Sequence, residues 1–258
     1  MDTLAGLLDD LSTGRVRLID LTAPLSPDTP ILQLPPPFAN TIPASLEQIS
    51  NFDDAGPAWR WHNLHTGEHT GTHLDAPTHW VSGKDGNSVA DIAATRLVGP
   101  AAVLDHVADA EADADFLLEP RHLEAWQEQH GAFPDGVWVI LRTGWGIRSS
   151  DPVAFANADE SGPHTPGVSV AAAQWLAANP AISGFGVETV GIDAGQAAGL
   201  DPMFPAHYFL LGADKYGLTQ LQHVDQLPAT GTVLVVAPLP IVGGTGSPAR
   251  VFAFVPSS

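Results

Sequence analysis

The chain contains no cysteine. It therefore has no disulfide, no thiolate-bound zinc and no cysteine nucleophile. Basic residues are scarce as well: 10 Lys and Arg stand against 29 Asp and Glu, a formal net charge of −19. Nucleic acids and acidic membrane surfaces call for basic patches, so neither is expected as a partner. No apolar run reaches the ~20 residues of a transmembrane helix. The first dozen residues have no basic start and no long apolar centre, so no signal peptide is expected either. The expectation is a soluble, cytoplasmic protein. A Gly-x-Ser-x-Gly elbow is also missing, which leaves covalent serine catalysis without support.

What is there suffices for one domain spanning residues 1–258, because 258 residues with 44% hydrophobic content can bury a substantial core. The 25 Gly and 23 Pro together make about a fifth of the chain, below the level that signals disorder. No internal repeat or apolar-poor linker divides it.

The densest chemistry lies in Gly67-Glu68-His69-Thr70-Gly71-Thr72-His73-Leu74-Asp75-Ala76-Pro77-Thr78-His79-Trp80. Imidazole and carboxylate together are donors for borderline divalent ions such as Zn²⁺ or Mn²⁺. A helix would point Asp75 away from His69, at roughly 240° around the axis, and Gly71, Pro77 and three Thr oppose a helix in any case. Extended backbone puts His69, His73, Asp75 and His79 on one face. A straight strand would, however, hold the Cα atoms of His69 and His73 about 13 Å apart. The segment must bend, with Gly71 as the hinge. The reading is a loop or bent strand that gathers His69, His73 and Asp75 around one metal ion. His79 stands outside that ligand set and is available for proton transfer. Open positions on such an ion are the mark of a catalytic site rather than a structural one.

His69-Thr-Gly-Thr-His73-Leu-Asp75-Ala-Pro-Thr-His79 resembles the signature of the cyclase-like metal-dependent hydrolases, the family of bacterial kynurenine formamidases and isatin hydrolases. The resemblance extends to Asp20–Leu25, to Ala206–Leu211 with its His207, and to Gly244–Arg250, and so covers nearly the whole chain. It implies a swivelling β/β/α-type fold and hydrolysis of a non-peptide C–N bond. His79 would move the proton, and His207 would hold the substrate or share the transfer. The segment Tyr216–Gln222 offers Gln222 where the dinuclear members carry a Glu, so one divalent ion is expected, with Mn²⁺ preferred to Zn²⁺ by resemblance. Trp80 and Leu34–Phe38 add likeness to the isatin hydrolase branch, which opens isatin to isatinate. An arylformamidase acting on N-formylkynurenine and a non-catalytic metal-stabilised binder of aromatic metabolites are the alternatives.

Alternating elements indicate a single α/β domain around a mixed β-sheet. Expected helices are Met1–Ser12, Ser88–Ala94, Pro120–Gly131, Ser169–Asn179 and Phe204–Leu211. Expected strands are Arg15–Leu21, Trp59–His65, Val98–Val107 (broken at Pro100), Gly136–Thr143, Gly184–Ile192, Thr232–Leu239 and Arg250–Val255. Asp109–Asp115 and Pro152–Pro166 read as loops, His122 and His130 as surface residues, and Glu188 and Asp193 as support for either the site residues or the fold. The proline-rich stretch from Pro24 to Pro37 is either a wall over a pocket or an arm on a partner subunit. Phe38, Trp59, Trp80 and His207 are the candidate substrate contacts for a small aromatic amide, in a chain expected to form a homodimer.

Overall fold

Val137, Trp138, Val139, Ile140 and Leu141 are all buried, and the strand they form has a core on each side. Trp138 and Ile140 belong to one apolar cluster, and Val137, Val139 and Leu141 to another. Successive side chains of a strand point to opposite faces, so an uninterrupted apolar run is what a doubly covered strand needs.

The computed structural model describes residues 3–34 and 36–257. The first two residues of the expected Met1–Ser12 helix, Pro35 in the expected Leu34–Phe38 stretch, and Ser258 lie outside the described residues. In chain order the elements are α1 (Thr3–Ser12), β1 (Val16–Asp20), β2 (Ser45–Asn51), β3 (Arg60–His65), β4 (His73–Asp75) and β5 (Val98–Asp105). Then come α2 (Val107–Ala112), β6 (Leu117–Leu118), α3 (Pro120–His130), β7 (Val137–Arg142), α4 (Pro152–Ala156), β8 (Ala158–Asp159), β9 (Gly162–Pro163) and β10 (Gly167–Val168). Helix α5 (Val170–Ala178), β11 (Ile182–Val187), a π-helix (His207–Leu211), β12 (Tyr216–Thr219), β13 (Thr232–Pro238) and β14 (Gly246–Pro256) complete the chain.

The main sheet runs β1-β14-β13-β5-β7-β11-β12-β4. Its β5, β7, β11 and β12 are parallel neighbours, and the other pairings are antiparallel. Strand β4 also pairs with the start of β14, which closes seven of the strands into a barrel and leaves β1 alongside. Leu74, Trp138, Ile140, Leu218, Leu234 and Val251 fill the barrel. Outside it, α3 and α5 cover the other face with Leu123, Trp126, Ala172 and Leu176. The fold is the single α/β domain with a mixed sheet that the sequence implied.

The structure corrects several local expectations. Pro100 does not break β5, because the parallel ladder to β7 begins only at Ala101, so a missing N–H is tolerated there. The acidic stretch after Val107 is helix α2, with Asp109 in its first turn where the helix dipole favours an acid. Asp151 caps α4 by accepting from the N–H groups of Val153 and Ala154, so the Pro152–Pro166 segment holds a helix and the β8–β9 hairpin. Ser88–Ala94 resolves into two short 3₁₀ turns, Val89–Asp91 and Ala94–Arg96. Strand β11 ends at Val187, where Glu188 turns away to accept the N–H groups of Thr143 at 2.6 Å and Gly144 at 2.7 Å. His122 is half-buried, its ring against His106 and Phe116. Strand β2, not expected from the sequence, pairs with β3 in a two-stranded ribbon apart from the barrel.

Candidate metal centre

Strand β4 is only three residues long, yet it completes the barrel. Leu74 enters the interior, so His73 and Asp75 must face the other way. Gly71 has φ +64°, the left-handed turn that swings His69 back over this face. The neighbouring strands leave room through glycine. A Cβ on Gly217 would stand 2.6 Å from Asp75 Oδ2, and one on Gly246 would stand 2.5 Å from His69 Cε1. The hinge and the convergence of His69, His73 and Asp75 are as the spacing required.

The centre of the cluster is Asp75, 1% exposed. Its Oδ1 lies 2.7 Å from His69 Nδ1 and 3.3 Å from His73 Nε2. Burial alone would raise its pKa, but the His73 and His69 imidazoles hold the carboxyl well below the usual range. His73 Nδ1 sits 2.7 Å from the Gly71 carbonyl, which can only accept, so Nδ1 carries the proton. In the neutral ring, Nε2 then turns a lone pair toward the Asp75 carboxylate. Two acceptors face one another, and a cation between them is what the arrangement calls for. Asp75 Oδ2 is buried without any hydrogen-bond partner among the described residues. Buried acceptors are rarely left unpaired. These residues fit a divalent ion.

His79 ends the short 3₁₀ turn Pro77–His79 and stacks on His69 with ring centroids 3.8 Å apart. Ligand atoms of His69, Asp75 and His79 lie within 4.8 Å of one another. The structure thus brings His79, expected outside the ligand set, into the tightest group of potential ligands, from which the expected ligand His73 is absent. Among the described residues its ring makes no hydrogen bond, and burial pushes its pKa down to about 3 against the opposing pull of Asp75.

His207 comes from the π-helix and points Nε2 at Asp75 Oδ2 across 3.9 Å. Its Nδ1 is 2.6 Å from Asp193 Oδ2. Burial works to lower the His207 pKa, and the hydrogen bond and charge of Asp193 more than offset it, so the net shift is upward. Trp80 packs against His207 at 4.8 Å and against Phe204 at 5.7 Å between ring centroids. Phe38 and Trp59 make no aromatic contact with this cluster among the described residues. Both are exposed, and Trp59 packs edge-on against Trp61. Gln222 takes a hydrogen bond from Ser149 at 3.0 Å on another wall of the barrel rim.

Sequence reading missed Thr219, whose Oγ1 lies 2.9 Å from His73 Nδ1, and Thr245, 2.9 Å from His69 Nε2. It placed Asp193 only as support, either for the site residues or for the fold. Thr245 is held in turn by Glu68, which accepts its hydroxyl at 2.7 Å.

A buried carboxylate ringed by imidazoles at the rim of a closed mixed barrel is an arrangement suited to a divalent metal ion. The chain belongs to the Cyclase family, whose model, described as "Putative cyclase", matches residues 19–194. It is 45% identical to the isatin hydrolase of Roseibium aggregatum, over 99% of this chain and 98% of that one. The solved structure of an isatin hydrolase bound to the product analogue thioisatinate superposes with a TM-score of 0.95 at 44% identity, covering 100% of both chains. The kynurenine formamidase of Salinibacter ruber is 30% identical over 73% of this chain and 76% of its own length.

Proposed function

We propose that this protein is a metal-dependent hydrolase that opens a small aromatic cyclic amide, isatin above all, to give isatinate. The observation that carries the reading is Asp75, a buried carboxylate among imidazoles with one oxygen unpartnered. The end-to-end likeness to an isatin hydrolase supplies the substrate class. The reaction adds water across the lactam bond. Oxygen joins the carbonyl carbon, the C–N bond breaks, and the ring nitrogen takes up a proton to become an aromatic amine beside an α-keto acid.

His69, His73 and Asp75 would hold one ion, and a set of imidazole nitrogens with a carboxylate oxygen suits Mn²⁺ or Zn²⁺. When bound, such an ion supplies Lewis acidity toward the amide carbonyl and lowers the pKa of the attacking water. Thr219, Gln220 and Gln222 are neutral, so they offer no charge for a second ion. His79, whose ring nitrogens have no protein partner among the described residues, is placed to take the proton from water and return it to the leaving nitrogen. His207, with its pKa raised, donates through Nε2 to a substrate oxygen. Trp80 offers the flat ring of the substrate a face. Phe38 and Trp59 are read as part of the surface that meets a second copy of the chain.

The test is turnover of isatin against N-formylkynurenine, before and after chelation and with Mn²⁺ or Zn²⁺ restored. Isatin should be opened only by the metal-loaded protein. Turnover of N-formylkynurenine alone would move the reading to an arylformamidase. Isatin binding without turnover of either compound would make the protein a binder.

A further inference from the structure

We infer that Asp193 is a positioning residue that fixes which nitrogen of His207 faces the site, so that every proton His207 gains or loses passes through Nε2. The inference rests on the hydrolase reading above only for its effect on rate. The geometry stands by itself.

Asp193 is buried just after β11, and its carboxylate meets three donors from a segment fourteen residues away. Oδ1 accepts the N–H of Ala206 at 2.7 Å. Oδ2 accepts the N–H of His207 at 3.1 Å and faces His207 Nδ1 at 2.6 Å. Two of these partners are backbone amides, which can only donate, so the carboxylate is held as a pure acceptor. An ionised oxygen at 2.6 Å from an imidazole nitrogen requires that nitrogen to carry the hydrogen. Nδ1 is therefore the fixed N–H and Nε2 the exchangeable position. The same carboxylate anchors the backbone at Ala206 and His207, so the start of the π-helix and the plane of the ring are set together. π-turns of this kind occur preferentially at functional sites. The consequence is directional: Nε2 points at the unpartnered Oδ2 of Asp75, at the edge of the cluster.

Asp193→Asn has a single oxygen for these donors, so its NH₂ opposes either the Ala206 N–H or the His207 N–H, and the orientation that keeps the oxygen on Ala206 turns the NH₂ toward His207. That group donates to Nδ1 and drives the proton to Nε2. A related change in serine proteases, where an Asp orients a catalytic His, lowers kcat about 10⁴-fold through the wrong tautomer. Here the expected result is a fall in kcat for isatin of roughly 10²–10⁴-fold with KM and metal content little changed.

Two further readouts separate positioning from simple helix support. In a His207→Gln background, adding Asp193→Asn should cost less than about threefold, because its route of action is gone. A fall that persists undiminished in that background overturns the proposal. Nitrogen-15 NMR of histidine-labelled, zinc-loaded protein at pH 9 should show His207 with Nδ1 protonated in the wild type and Nε2 protonated in Asp193→Asn. The same tautomer in both proteins also overturns it. The spectrum decides the matter even if isatin proves not to be the substrate. Should Asp193→Asn fail to fold, Asp193→Glu carries the test. It should keep the wild-type tautomer and recover part of the rate, and a folded Asp193→Glu with the opposite tautomer rejects the proposal.

Discussion

His79 is the imidazole of the cluster whose ring nitrogens have no protein partner among the described residues, whereas His69 is set between Asp75 and Thr245, and His73 is held by the Gly71 carbonyl and Thr219. A ring anchored by stacking alone is free to exchange a proton, and that separates its role from theirs. Replacing His79 with Ala should lower turnover by about 10²–10⁴-fold, the usual worth of a general acid–base. Metal content, read by elemental analysis, should be nearly intact. Asp75→Asn should lose the ion, because it removes the one charge around which the imidazoles are arranged. If His79→Ala also loses the ion, His79 is a ligand, a role its closeness to His69 and Asp75 permits. The convergence of His69, His73 and Asp75 was legible in the sequence because they are local neighbours on one segment that bends at Gly71. Thr219 and Thr245 were not, since they reach His73 and His69 from 146 and 176 residues away. Only the closed barrel brings them there.

At the scale of elements, the short strand β4 is shaped by what its neighbours omit. Gly217 on β12 sits opposite Asp75, and any side chain there would press on Oδ2. Gly217→Ala should therefore displace the carboxylate and weaken metal binding on the order of 10–100-fold, the range seen when support around a ligand is disturbed. Competition with a chelator measures it, and unchanged affinity would mean that β12 can move aside at no cost. The β8–β9 hairpin supplies a second element-scale case. His164 Nδ1 lies 2.7 Å from Asp115 and its Nε2 lies 2.9 Å from Ser161 and 3.1 Å from Asp159. The distances resemble a Ser–His–Asp relay. A carboxylate on each side, however, raises the imidazole pKa, Asp115 contributing most, which favours the protonated ring over the free base. It is a latch between the hairpin and the Asp113–Phe116 turn. Because the folded pKa lies above the unfolded value near 6.5, the stability it contributes is full below that value. It is lost as pH rises through the folded pKa. The melting temperature of wild type minus that of His164→Gln should thus be larger at pH 5.5 than at pH 9. A gap that widens with pH would mean that the ring is neutral in the fold. Nothing in the loop-like composition of Pro152–Pro166 announced this hairpin, whose tie to the rest of the fold runs from His164 to the distant Asp115.

The whole molecule presents an imbalance that a single chain leaves open. The barrel buries its apolar strands on both faces, and the sequence declared as much through runs such as Val137–Leu141. The β2–β3 ribbon does the opposite. Leu46, Phe52, Trp59, Trp61 and Leu64 are exposed on or beside it, with Phe38 and Ile42 just before it in the chain. Trp59–His65 alternated like a half-buried strand, but no sequence rule says which surface covers it. A two-stranded ribbon is marginal in water without packing, and exposed apolar surface of this extent marks an interface. A second copy of this chain is the occupant we expect, with the two ribbons meeting across a two-fold axis, since that is the commonest symmetry of soluble oligomers. The net charge of −19 opposes self-association at long range, so the attraction must be apolar and short-ranged. Raising salt should then strengthen the dimer by screening that repulsion. Light scattering after size exclusion should give twice the chain mass. The double change Trp59→Glu with Trp61→Glu should give the chain mass while leaving the melting transition of the barrel in place. If the wild type is monomeric at micromolar concentration, the ribbon has a different partner. If the double variant stays dimeric, the interface lies elsewhere on the surface.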